Sequence, residues 1–212
     1  MRIRFSPFSK LDGTVRIIPA DSSGEEGLLF GENMEKEPQT CWSVREITIE
    51  DGESSHELLK RLHVTTYENA ELGISSEQIE ERFNKRTPEE RHDRLEQRIA
   101  DNNNQAYVAC DSSGKIIGMV APRIEDDGTR RIGALYVDSD WQGKGLSHEL
   151  MQKALTWHEA DKNDVELYVV SYNNRAKAFY RKWGFEEIEG SDALFDDLIP
   201  EIKMVRKAGG WQ

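Results

Sequence analysis

The chain has 212 residues, 37% of them hydrophobic and 32% charged, with a formal net charge of −12. That length holds one domain with a core of its own, and the negative charge argues against unspecific binding to nucleic acid or anionic lipid, both polyanions. Cys41 and Cys110 show no C-x-x-C or Cys/His ligand spacing, and the five histidines form no ligand pattern, so reduced thiols, a cytoplasmic location and no metal are expected. The N-terminus lacks the apolar run of a signal peptide, and no stretch is long and apolar enough to cross a membrane.

In chain order, residues 1–43 read as an extension, an arm or a packed appendage. TVRIIPA is a short candidate strand within it, followed by an aperiodic stretch rich in Gly, Ser and acids. The main domain spans 44–207 and a short tail covers 208–212. VREITI, from Val44, alternates as a strand does. Ser54 to Glu57 has the S-x-x-E form of a capping box, Ser75 to Gln78 opens a second helix in the same way, and Thr87-Pro88-Glu89-Glu90 opens a third. QAYVAC, KIIGMVAPRI and TRRIGALYV, joined by the turns DSSG and EDDG, form a three-stranded meander. A glycine cluster follows, then a helix with Leu146, Leu150, Ala154, Leu155 and Trp157 as its apolar stripe. VELYVV is a strand, Asn173 a natural N-cap for RAKAFYRKWG, and FEEI and PEIKMV are the last strands. The fold class is α+β.

The glycine cluster, Gln142-Gly143-Lys144-Gly145-Leu146-Ser147, excludes two phosphate-binding patterns. A P-loop needs Ser or Thr after the lysine, where Gly145 stands, and a glycine where Asp138 stands. The dinucleotide fingerprint needs a glycine where His148 stands. What fits, with Ser147 at the last small position, is Q/R-x-x-G-x-G/A between a strand and a helix. There, residues with little side chain let a ligand approach the free N–H groups of the helix N-terminus, which favour a diphosphate. A ligand-free strand-to-helix turn has the same composition.

Downstream, Asn173, Ala176, Phe179, Tyr180, Gly184 and Phe185 complete the pattern N-x-x-A-x-x-F-Y-x-x-x-G-F. With both motifs in order, the chain resembles the GNAT superfamily of acetyl-CoA-dependent N-acetyltransferases, over about residues 44–207 in element order and most specifically over 105–188. The resemblance implies a mixed, mostly antiparallel central sheet flanked by helices, with the fourth and fifth strands splayed around the acyl-CoA site. It also implies acetyl-CoA as co-substrate, held by the backbone of Leu135, Tyr136 and Val137 and by the loop from Gln142 through Gly143, Lys144, Gly145 and Leu146 to Ser147. Asn173 is either a helix cap, a cofactor contact, or both. Tyr180 matches the family's general acid, whereas the i, i+3, i+4, i+7 spacing of Ala176, Phe179, Tyr180 and Trp183 is by itself that of a core stripe.

The general base is left open between Glu71 and Asp138, either of which also reads as a surface acid. In this fold the first two helices and the loop between the last strands wall the acceptor site. Seven acids and no base between Lys182 and Lys203, with Tyr67, Glu68 and Glu71 opposite, favour a small cationic primary amine such as a polyamine or aminoglycoside. A protein lysine or N-terminal amine is the alternative acceptor, and a non-catalytic acetyl-CoA-binding regulatory module the alternative function. A monomer or a homodimer fits equally.

Overall fold

The computed structural model describes residues 42–209; the candidate strand TVRIIPA and Cys41 lie outside them. The described elements run β1 (Trp42–Glu46), α1 (Gly52–Tyr67), α2 (Ser76–Phe83), α3 (Pro88–Ala100), β2 (Tyr107–Asp111), β3 (Ile116–Ile124), β4 (Arg130–Val137), α4 (Leu146–Trp157), β5 (Val165–Val170), α5 (Asn174–Lys182), β6 (Phe185–Glu187), β7 (Ala193–Phe195) and β8 (Ile199–Arg206). The strands form one sheet in the order β1-β2-β3-β4-β5-β8-β6, with β7 also paired to β8. All neighbours are antiparallel except β4 and β5. The mixed, mostly antiparallel sheet flanked by helices is therefore as expected. No helix among the described residues is long and apolar enough to cross a membrane.

Local sequence accounts for most element boundaries. The boxes at Ser75/Gln78 and Thr87/Glu90 both close, each hydroxyl accepting from the backbone three residues on and each long side chain accepting in return. The expected box at Ser54 does not form, because the chain has already turned. The Thr48 backbone N–H donates to Asp51 at 2.8 Å, and Arg45 clamps the same carboxylate in two-pronged fashion at 2.6 and 2.8 Å. That turn launches α1 at Gly52, two residues before Ser54, and cuts the first strand off at Glu46. A second departure is β7, a short strand inside the acidic stretch before β8. It is joined to β8 through Asp196, Asp197 and Leu198; the first two are at positive φ (50° and 59°), and the Leu198 N–H closes the turn on the Phe195 carbonyl at 3.2 Å.

Helix α4 buries Leu146, Leu150, Met151, Ala154 and Leu155 against β2, β3 and β4, in a core that also takes Tyr180, Trp183 and Phe185. Trp157 leaves the expected stripe half-exposed. The fully buried neighbour is His158, whose ring meets the Arg131 carbonyl at 3.2 Å and whose pKa burial pushes down to about 4. A second cluster, with Leu58 and Leu62 of α1 and Val108, Ile116 and Met119 of the sheet, completes the packing around α1.

One irregularity in the sheet positions everything that follows. Between β3 and β4, Val120 faces Leu135 and Pro122 faces Ile132, so two steps on β3 are matched by three on β4. The extra residue is a bulge at Gly133–Ala134, and a bulge bends its strand. A Cβ at Gly133 would lie 2.4 Å from the Arg123 guanidinium and 3.3 Å from the Ala121 carbonyl, so a side chain there would displace the end of Arg123. Below the bulge β4 pairs with β5 at Arg131–Glu166 and Ile132–Leu167; above it the two strands no longer pair.

Candidate active site

The parting of β4 and β5 opens a cavity of about 630 Å³, walled by the free edge of β4, the tip of β5, the glycine loop and α5. Of the residues singled out from the sequence, Leu135, Tyr136, Val137, Gln142, Gly143, Gly145, Ser147, Asn173 and Tyr180 line it. Two others do not. Leu146 is a fully buried core residue, so only its backbone belongs to the loop, and the Lys144 ammonium sits 4.9 Å from the Trp141 ring centroid. A larger hollow of about 960 Å³ runs along α1 and α3 past His63, and contains neither Tyr180 nor the glycine loop.

The loop is shaped for a ligand with many oxygen acceptors. Gly143 and Gly145 adopt φ of 77° and 94°, and nothing lies within 4 Å of where their Cβ atoms would stand. The first intrahelical N–H bonds of α4 come from His148 and Glu149, to the Gly145 carbonyl, so the preceding amides lie in the turn whose donors a helix leaves unpaired. Gln142 turns back to donate its amide to the Val137 carbonyl at 3.0 Å. Its side chain thus ties the loop to the strand and takes one of the backbone acceptors of β4. Asn173 caps α5 by accepting from the Ala176 N–H at 3.0 Å, while still facing the cavity. Arg175, Lys182 and His148 line the cavity without having been picked out from sequence; the two cations are exposed on α5, where only the fold turns them toward a loop suited to anions.

Replacing Gly145 by alanine should lower the unfolding free energy by about 1–2 kcal/mol, the penalty a Cβ meets in the left-handed region, and asparagine there should cost less. Thermal melts of the two variants read the difference. Equal melts for Ala and wild type would mean that the loop relaxes.

At the inner end of the cavity three tyrosines and one carboxylate converge. The Tyr67 and Tyr136 hydroxyls are 2.6 Å apart, and the Tyr172 hydroxyl donates to the Tyr67 carbonyl at 2.7 Å, fixing the end of α1. Burial holds the Tyr136 and Tyr180 phenols above their ordinary pKa, and the nearby Glu201 charge adds to it in both. Tyr67 is raised as well, again chiefly by burial. Glu201, half-buried on β8 opposite Val170, has its own pKa pushed up to about 7 by burial. His63 packs against Tyr67, Phe83, Tyr136 and Phe195 on the side of the larger hollow, and burial lowers its pKa to about 4, so it is a neutral ring behind these tyrosines.

The two acids weighed as proton acceptors sit elsewhere in character. Glu71 is exposed and outside the cavity lining, as is Glu68. Asp138 is buried, receives the Arg61 guanidinium at 2.5 Å and caps the short turn Ser139–Trp141. The acidic stretch is also less open than its composition suggests. Asp196 is paired with Arg82, Glu187 with Arg181 and Lys177, and of its seven acids Glu201 alone lines the cavity. The hint available in sequence was that Glu201 stands inside the apolar strand segment IPEIKMV.

Residues 65–208 match the family model described as an acetyltransferase (GNAT) domain. An uncharacterized N-acetyltransferase of Methanocaldococcus jannaschii is 33% identical over 90 residues, covering 39% of this chain and 40% of that protein. The aminoglycoside N(6′)-acetyltransferase type 1 of Stenotrophomonas maltophilia is 30% identical over 104 residues, covering 45% of this chain and 68% of its own. The chain therefore spans well under two thirds of the archaeal relative's length. Among solved structures, the PaiA N-acetyltransferase of Thermoplasma acidophilum in complex with coenzyme A superposes with a TM-score of 0.63 at 22% identity, over 78% of this chain and 98% of that one.

Proposed function

Since this chain belongs to the GNAT acetyltransferase family, we propose that it moves the acetyl group of acetyl-CoA onto a primary amine of a small cationic acceptor, with Tyr180 protonating the departing sulfur. The observation that carries this reading is the opening between β4 and β5, with the glycine loop at its rim and Tyr180 at its inner end. The loop amides and the Arg175 and Lys182 cations suit the phosphates. The unpaired upper edge of β4 suits an amide-bearing arm, and donors along it favour the charge that grows on the thioester oxygen. Nine-tenths buried, Tyr180 stays protonated at working pH, so its hydroxyl is available as a donor when the thiolate forms.

The cationic acceptor is supported by Glu201, the one carboxylate among the described residues lining the cavity, and by the similarity to an aminoglycoside-modifying relative. A peptide amine is the second reading, favoured by the larger hollow beyond His63, which has room for a longer acceptor. Residues 1–43 are proposed to stand outside the catalytic domain, a reading supported by a family match that covers residues 65–208.

Thiol release from acetyl-CoA against polyamines, aminoglycosides and lysine peptides tests the proposal. Release is expected with the polyamines or aminoglycosides and little with the peptides; the reverse order would move the acceptor to protein amines. Calorimetric binding of acetyl-CoA without release to any amine would leave a binding module in place of an enzyme.

A further inference from the structure

We infer that Glu201 takes the proton from the acceptor's ammonium and, by becoming neutral, readies Tyr180 to protonate the leaving sulfur. The inference rests on the acetyl-transfer reading and assigns the proton acceptor that the sequence left open.

The geometry comes first. Glu201 lies on β8 at the register of Val170, the last residue of β5, where β5 has parted from β4. It lines the same cavity as Tyr67, Tyr136 and Tyr180. The charged and titratable groups around it are accounted for. Tyr67 comes from α1, Tyr136 from β4 and Tyr180 from α5, all three phenols being raised in pKa and hence neutral at working pH. Across β7 it faces Ala193, which does not titrate. Lys203, two residues along the strand, is engaged by Glu166 at 3.3 Å, near Tyr168 of β5. Arg82 of α2 is engaged by Asp196, and Arg61 of α1 by Asp138. Arg175 and Lys182 lie on α5, and His148 lies on α4 with its ring against Phe179 and Trp183. Among the described residues no cation is paired with Glu201, so the seat beside its carboxylate is open to an ammonium from outside.

Burial then sets the acid strength. A carboxyl at about 7 is a far better match for an ammonium near neutral pH than an exposed carboxylate at about 4.3. Burial holds the Tyr180 phenol up, and the same charge adds to it. When Glu201 takes a proton, that contribution vanishes and Tyr180 becomes the stronger acid, at the moment a thiolate must be protonated.

The proton count closes. The ammonium gives one proton to the Glu201 carboxylate, and the freed nitrogen lone pair forms the C–N bond to the thioester carbon. The C–S electron pair leaves on sulfur, which receives the Tyr180 proton. The Tyr180 phenolate takes the surplus proton of the acylated nitrogen, leaving a neutral amide, and Glu201 releases its proton to solvent.

The test is kcat/KM for the best amine of the panel at saturating acetyl-CoA, from about pH 5 to pH 9, for wild type, Glu201→Gln, Glu201→Asp and Tyr180→Phe. Wild type should lose kcat/KM tenfold per pH unit below about 7. Glu201→Gln should lose that limb and run roughly tenfold or more slower on the plateau, while Glu201→Asp keeps the limb. Tyr180→Phe, though slow, should keep it too. Carboxyl carbon NMR gives a readout independent of turnover: the resonance missing from Glu201→Gln should titrate near 7 in the wild type. An unchanged limb in Glu201→Gln, or titration of that carboxyl in the ordinary range, overturns the inference and leaves acetyl transfer standing. Absence of thiol release by wild type with every amine overturns the acetyl-transfer reading, and Glu201's role with it.

Discussion

Tyr180→Phe should lower kcat by about 10²-fold or more and leave the KM for acetyl-CoA nearly unchanged. The ring is part of the core, edge-on to Phe179 at 5.6 Å and to Phe185 at 6.0 Å, and phenylalanine keeps both contacts. Substrate binding draws on the loop amides and the β4 edge, which the substitution does not touch. What disappears is a donor whose partner, the thiolate, exists only as the C–S bond breaks. A loss confined to kcat is the signature of an interaction made in the transition state alone. The defect should shrink when the thiol is replaced by a more acidic leaving group, since a weaker base needs less help from a donor. Steady-state kinetics on both thioesters read this; equal rates for Phe and Tyr would leave residue 180 as packing only.

Leu150→Ala should destabilise the protein by about 3–5 kcal/mol, a fall of roughly 6–20 °C in Tm at 2–4 °C per kcal/mol. Leu150 is fully buried at the centre of α4, and its Cδ1 stands 3.2 Å from where a Cβ on Gly118 would be. The helix therefore lies directly on the β3 backbone, with no side chain to swing into a void. The site should feel the change, because α4 carries the glycine loop at its N-terminus. Saturating acetyl-CoA should raise Tm in both proteins by mass action, and by less in the variant if the loosened helix weakens the loop. Differential scanning fluorimetry with and without ligand measures both effects. A drop of only a degree or two would mean that α4 settles onto the sheet after truncation.

Local signals were readable where a few adjacent residues suffice. The boxes at Ser75 and Thr87, the strand VELYVV and the Asn173 cap depend on groups within four positions of one another. The Ser54 box fails for a related reason: an S-x-x-E pattern does not show that Arg45, on the preceding strand, has already fastened Asp51 into an earlier turn. The acidic stretch between Lys182 and Lys203 was misleading as a unit of charge. Its residues divide among ion pairs with Arg82, Arg181 and Lys177, open solvent, and the single cavity carboxylate, Glu201.

By itself the sequence determined the family, the order of the elements apart from β7, the glycine loop and the position of Tyr180. These are written in short contiguous motifs, because a strand-to-helix turn and one helix face are local objects. Only the tertiary structure decided that β4 leaves β5 at the Gly133–Ala134 bulge, that Tyr67 meets Tyr136, and that Glu201 lines one cavity with Tyr180. Those facts depend on pairing register and on the exclusion of water around groups 65 to 69 residues apart in the chain, as Tyr136 is from Glu201 and Tyr67 from Tyr136. A carboxyl's acidity is set by the solvent it loses on folding, and residue type alone carries no record of that loss.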